Sequence, residues 1–136
     1  MLKAIGFSLT MLTLVITISS FKQGYNLPES IARGKDLYVT WCQNCHSADG
    51  NGQPGAMPPL ANADYLKNSA KKLINVILQG QSGEVTVNGT TYNNPMPAQN
   101  YLTDGQIADI LNYTKNTWGN KSTIAIKPGQ VKQARG

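Results

Sequence analysis

The single histidine and both cysteines of this chain fall within five residues, Cys42-Gln43-Asn44-Cys45-His46. Three chemistries use such a cluster. A C-x-x-C pair can cycle between dithiol and disulfide. Thiolates and an imidazole can ligate zinc. Two thiols that flank two residues can also add to the two vinyl groups of a haem, with the adjacent histidine reaching the iron. The two-residue gap matches the vinyl separation.

Each chemistry makes a demand on the remaining sequence. A structural zinc site wants four Cys or His ligands. This chain has three, so zinc would need carboxylates or a second chain. A thiol-redox pair is expected at the N-terminus of a helix that follows a strand. Here the motif follows a helical pattern and enters a loop. Haem attachment is also the reading that an exported chain permits.

A haem reading raises the matter of a second axial ligand. His46 is the sole histidine, so two histidines from this chain cannot ligate one iron. Four methionines are present, and Met1 and Met11 lie in the N-terminal apolar segment. Met57 follows His46 closely, in "GAMPPL", and is expected to pack on the histidine side. Met96, in "NNPMPAQ", has a helix and a hairpin before it. That is enough chain to pass around a haem ring, and a proline-flanked methionine in a polar loop is poorly placed as core filler. Met96 is therefore the expected iron ligand.

The elements that must position these residues can be read from periodicity. "NLPESIARGKDLYVTWC" predicts a helix, with Ser30 as a cap and with Ile31, Gly34, Leu37, Tyr38 and Trp41 at spacings of three and four. "HSADGNGQPGAMPPLANADYL" is too rich in glycine and proline for a regular element, and a loop of that length points to function. "SAKKLINVILQG" predicts a second helix with Leu73, Ile74, Ile77 and Leu78 inward and Gly80 as its stop. "EVTVNGTTY" predicts a hairpin turning at Asn88-Gly89. "TDGQIADILNYTKNTWG" predicts the last helix, capped by Thr103 and buried along Ile107, Ile110, Leu111 and Tyr113. Residues 121–136 show no periodicity and are expected to form a flexible basic tail.

Residues 1–22 form a leader pattern. Lys3 precedes the apolar stretch Ile5 to Ile18, which has signal-peptide length and is short for a membrane span. The cleavage pattern is weak, so an uncleaved anchor is the alternative. Either way the chain is expected to be exported, in the periplasm or held at a membrane. The net charge of +5 sits largely in the ends. Between Glu29 and Asn120 six basic residues face all seven acids, so no nucleic-acid footprint is expected. Residues 25–120 are few for one core, and a bound group would complete it.

From Ile31 to Asn120 the chain resembles the class I c-type cytochromes. The residues that carry the likeness are "RGKDLYVTWCQNCH", with Gly34 and Tyr38, and "ADILNYTKN", with Ile110 and Tyr113. In that family a glycine and an aromatic of the first helix cross the last helix. The resemblance implies an all-α fold, its N- and C-terminal helices crossing around one covalent haem c, with a small β-hairpin before the methionine loop. It implies thioethers at Cys42 and Cys45, His46 and Met96 as axial iron ligands, and Pro58 as the carbonyl that accepts the His46 Nδ1 proton. Tyr92 and Tyr101 are expected haem-edge or propionate neighbours, with ordinary packing as the alternative.

The segment "GEVTVNGTTYNNPMPAQNYLTDGQIADILNYTKNTWGN" is similar to small cytochromes that accompany quinoprotein dehydrogenases, copper nitrite reductases and terminal oxidases. The implied function is transfer of single electrons between redox proteins, with no substrate transformed. The alternatives are a dedicated cytochrome subunit of a dehydrogenase or nitrite reductase, and a haem peroxidase or gas-binding protein with an open iron position.

Overall fold

In the computed structural model, which describes residues 24–136, the chain is mostly helical with one small sheet. Helix α1 spans Leu27–Trp41 and a single turn, α2, spans Gln43–His46. A long loop and a 3-10 turn at Asp64–Lys67 lead to α3, Ala70–Gln79. Strands β1 (Val85–Val87) and β2 (Thr90–Tyr92) pair antiparallel, Val85 opposite Tyr92. Helices α4 (Asp104–Thr114) and α5 (Pro128–Arg135) complete the chain. The leader lies outside the described residues. Among the described residues no helix is long and apolar enough to cross a membrane.

Local chemistry explains most boundaries. Asn26 caps α1 by accepting the Glu29 N–H at 3.2 Å, with a proline in the first turn. Ser69 caps α3, and Thr103 with Gln106 forms a reciprocal capping box on α4. Gly80 ends α3 at φ 76°, and Asn88 and Gly89 take φ 50° and 80° to turn the hairpin. Ser30 is not the cap that its position suggested. It lies fully buried at the crossing of α1 and α4, because Asn26 already serves the helix start.

The crossing of α1 and α4 is the centre of the fold. A Cβ placed on Gly34 would fall 2.0 Å from the Asp109 carbonyl oxygen and 2.7 Å from Tyr113 Cβ. Only the absence of a side chain permits that approach. Around it Tyr38, Tyr113 and Trp118 pack ring on ring, with centroids 4.9 to 5.5 Å apart. Helix α4 stops at Thr114, four residues before Trp118. Trp118 instead takes φ 52°, and this turns its ring back onto Tyr38.

Polar groups at the same crossing are paired. The Asp109 carboxylate accepts from Ser30 Oγ at 2.5 Å and from Arg33 Nε at 2.7 Å. Asn112 donates to Ser30 Oγ at 2.9 Å and to the Ile126 carbonyl at 2.8 Å, and accepts the Ile126 N–H at 2.8 Å.

That clamp corrects the expectation of a flexible tail at residues 121–136. Ile126 and Val131 are 2% and 0% exposed, and α5 packs against α3 and α4. Arg135 pairs with Asp104 at 2.7 Å and donates to the Asn100 carbonyl at 2.9 Å. One buried residue, Val131, in a helix of eight leaves no readable period. Such a helix cannot hold alone and depends on tertiary packing. Asn112→Ala is expected to destabilise the protein by about 1–3 kcal/mol, because it strands both Ile126 backbone groups. Denaturant titration with hydrogen exchange at the Ile126 amide measures this. An unchanged Ile126 protection would show that α5 docks without the clamp.

Candidate functional site

Helix α1 delivers its C-terminus to the motif. The Cys42 N–H donates to the Tyr38 carbonyl at 2.9 Å, and the Cys45 and His46 N–H groups both reach back to the Cys42 carbonyl, at 3.2 and 3.0 Å. One helical turn therefore places Cys42, Cys45 and His46 on a common side, because positions three and four apart share a helix face.

The loop that follows is shaped by close packing. The Gly52 N–H donates to the His46 carbonyl at 2.9 Å, Ser47 Oγ to the Gly52 carbonyl at 2.8 Å and Tyr38 Oη to the Ser47 carbonyl at 2.6 Å. A Cβ at Gly52 would meet the Met57 carbonyl oxygen at 2.3 Å, and one at Gly50 the Trp118 ring at 2.6 Å. Both glycines also lie at φ near +70°. Asn120 closes the loop from outside by donating to the Leu60 and Thr114 carbonyls, at 2.7 and 2.9 Å.

This folding of the loop presents Pro58 to His46. His46 Nδ1 lies 3.1 Å from the Pro58 carbonyl oxygen. A carbonyl can only accept, so Nδ1 carries the proton and Nε2 is left with a free lone pair. Burial lowers the His46 pKa, partly offset by the Pro58 bond, so the ring is neutral near pH 7. A neutral, oriented imidazole with a free Nε2 is what a metal requires.

Met96 arrives from the other end of the domain. Its backbone pairs with Gln81 in both directions, at 2.8 and 2.9 Å, and the Gln99 N–H donates to the Ile77 carbonyl at 2.7 Å. The methionine loop is thereby fastened to the end of α3. Gly80 makes room for it, since a Cβ there would lie 2.4 Å from the Met96 carbonyl oxygen.

Between these two parts lies a deep cleft of about 1280 Å³, mouth included. Cys42, Cys45, His46, Pro58 and Met96 all line it. Met57 lines it too, in the loop that carries Pro58. The remaining wall is largely apolar, including Leu66, Leu73, Ile77, Val85 and Ile110, and among the described residues no Lys, Arg, Asp or Glu takes part.

Two expected neighbours are elsewhere. Tyr92 and Tyr101 are not among the cleft-lining residues. Tyr92 is buried in the hydrophobic core, because β2 turns it inward opposite Val85. Tyr101 is 59% exposed, and its ring rests against Trp41 at 5.3 Å. Trp41 is itself a lining residue. The sequence reading missed Tyr65, Gln81 and Gln99, whose place on the wall follows from tertiary packing and leaves no local signal.

The thiols themselves speak against redox cycling. Burial, with Cys45 adding to it, pushes the Cys42 thiol up to about 12. A C-x-x-C pair that exchanges disulfides needs the reverse, a thiolate stabilised near neutral pH. No group of three or more ligand side chains able to hold an ion is present among the described residues. The chemistry of the cleft fits a large apolar group that carries its own metal: two thiols to anchor it, an imidazole to bind the metal and an uncharged wall to bury it.

Comparison with known proteins agrees. The family model for cytochrome c matches residues 31–118. Cytochrome c-552 of Thermus thermophilus is 36% identical over 109 residues, covering 76% of this chain and 82% of that protein. The cytochrome c subunit of the quinone-dependent alcohol dehydrogenase of Gluconacetobacter polyoxogenes is 32% identical over 111 residues, 75% of this chain and 22% of the subunit. The cytochrome c subunit of gluconate 2-dehydrogenase of Pantoea cypripedii is 32% identical over 100 residues, 69% of this chain and likewise 22% of the subunit. Because the match runs from within α1 to just past α4, through the motif and both loops, the chain belongs to the cytochrome c family and is a class I c-type cytochrome that carries covalent haem c.

Proposed function

We propose that this chain is an exported electron carrier whose haem c occupies the cleft, joined by thioethers to Cys42 and Cys45 and ligated by His46 and Met96. The observation that carries this reading is the convergence of those four residues on one apolar cleft. Bound there, haem c supplies a one-electron couple. The chain's own residues hold that couple in place. Pro58 orients His46 through Nδ1 at 3.1 Å, and Gln81 fixes the backbone of Met96. Thioether ligation and an uncharged, buried wall favour the reduced form and raise the potential.

The direct test is thiol titration of the purified holoprotein under denaturing conditions. No titratable thiol and haem retained on the chain are expected. Two free thiols would overturn the assignment. The oxidised protein should also show a methionine–iron charge-transfer absorption. Its absence would favour a peroxidase or gas-binding protein with an open iron position.

Gly80→Ala provides a test from outside the ligand set. Its Cβ would displace the Met96 carbonyl, and its φ of 76° strains any side chain. A weakened methionine–iron absorption with covalent haem intact is expected. An unchanged spectrum would show that the loop is not held at Gly80.

Electrons would pass at the cleft mouth. Trp41, a lining residue, is 43% exposed, the 59% exposed Tyr101 rests against it, and Asn94 and Gln99 on the lining are uncharged. Encounters across such a face are transient and weakly dependent on salt. Trp41→Ala should slow electron transfer to a physiological partner about fivefold or more, as loss of an aromatic anchor does. A rate that is unchanged would place the docking face elsewhere.

The relatives favour one class of partner. Two of those compared above are cytochrome subunits of dehydrogenases. The chain spans about a fifth of each, so it corresponds to one cytochrome domain of such a subunit. A quinoprotein dehydrogenase is therefore the proposed donor, with this chain as a free shuttle or as a dedicated subunit. Copper nitrite reductases and terminal oxidases are the further partners that the family resemblance implies. Co-purification from the native membrane fraction separates subunit from shuttle. The leader pattern of residues 1–22 makes the periplasm, or its membrane face, the proposed location.

A further inference from the structure

Among the described residues the cleft wall holds no charged side chain, yet haem c brings two carboxylates that need solvent or a cation. The edge where they can leave the apolar wall is marked by two residues. Tyr65 and Gln81 line the cleft and also line two polar surface grooves beside it. They are thus the boundary between the apolar interior and a wet surface.

Beyond that boundary stands Lys72. It lines both grooves, and its Nζ lies 4.9 Å from the centroid of the Tyr65 ring. It forms no ion pair among the described residues. The other charges facing this edge are Lys71 in one groove and Asp64 and Glu84 in the other. Asp64 is engaged by the Asn88 N–H at 2.8 Å, and Lys115, just after α4, donates to the Leu66 carbonyl at 2.6 Å. Lys72 is the cation held against the boundary residue itself.

We propose that Lys72, seated on Tyr65 beside Gln81, is the counter-ion of a haem carboxylate and a positioning residue that raises the reduction potential. The inference rests on the proposed seat of haem in the cleft. Its physical content is electrostatic. A cation at this edge disfavours the oxidised iron, which carries one more positive charge, and offsets a carboxylate that would favour it. The same cation holds that carboxylate ionised to lower pH.

The test is a spectroelectrochemical titration of holoprotein from about pH 5 to about pH 9, a range that spans a raised carboxylate. Wild type, Lys72→Gln, Lys72→Arg and Lys71→Gln are compared. Lys72→Gln should shift the redox equilibrium about two- to fivefold toward the oxidised form, the range of a partly exposed charge pair. It should also move the carboxylate inflection in the potential–pH curve to higher pH. Lys72→Arg should restore both, and Lys71→Gln should leave the inflection in place. Equal effects of the two glutamine variants, or an inflection unmoved by Lys72→Gln, would overturn the proposal and leave only long-range surface charge. Haem retention and the methionine–iron absorption are recorded on the same samples. If wild type lacks them, the seat of haem itself is wrong. If wild type has them and the inflection does not move, only the role of Lys72 fails.

Discussion

Replacing Met96 by alanine is expected to abolish the methionine–iron absorption and to lower the reduction potential by at least about 59 mV, a tenfold change for one electron. The haem should stay attached, because Cys42 and Cys45 lie on a different element, at the end of α1 and in α2. A thioether donates weakly and favours ferrous iron, so its loss favours the oxidised state. The fold should survive, since the Met96 backbone bonds to Gln81 do not involve its side chain. Met57 is the internal control. It also lines the cleft, but from the loop that gives Pro58 to His46. Met57→Ala should leave the absorption in place. If Met57→Ala removes the absorption and Met96→Ala does not, the two methionines exchange roles and the assignment of Met96 is wrong.

Gly34→Ala is expected to have the largest effect on stability, a loss of about 3 kcal/mol or more. The added methyl would sit 2.0 Å from the Asp109 carbonyl oxygen and 2.6 Å from its carbon. These are backbone atoms of a helix and cannot swing aside as a flexible side chain would. The helices must part, and parting them disturbs the Ser30, Arg33 and Asn112 bonds around Asp109 together with the Tyr38–Tyr113–Trp118 packing. The effect should outweigh the gain of alanine over glycine within a helix, which is about 1 kcal/mol. Guanidinium unfolding of the holoprotein, followed by tryptophan fluorescence and by haem absorption, measures it. A loss below about 1 kcal/mol would mean that the crossing yields without cost.

The residues with reactive chemistry were legible from type and spacing, because each is rare in this chain. One histidine, two cysteines and two methionines outside the leader leave few combinations. The hairpin turn and the starts of α3 and α4 were legible because Asn-Gly, serine and threonine act on their own backbone neighbours. The Ser30 and Tyr101 expectations failed for one reason. A serine near a helix start and a tyrosine near a ligand loop have several equally good uses, and the neighbours decide among them. Ser30 went to Asp109, far along the chain, and Tyr101 went to Trp41 at the surface.

The C-terminal segment shows the boundary most clearly. By itself, "IAIKPGQVKQARG" carries too little apolar periodicity to announce a helix, and it forms one because Asn112, Asp104 and the carbonyls near Leu102 are there to receive it. The sequence alone pointed to the covalent and ligand chemistry proposed for Cys42-Gln43-Asn44-Cys45-His46, since that reading depends on residues adjacent in the chain. Only the tertiary structure decided which side chains make the cleft wall and that Lys72 stands at its polar edge. Those properties arise from contacts between residues distant in sequence, and no local pattern encodes a distance across the fold.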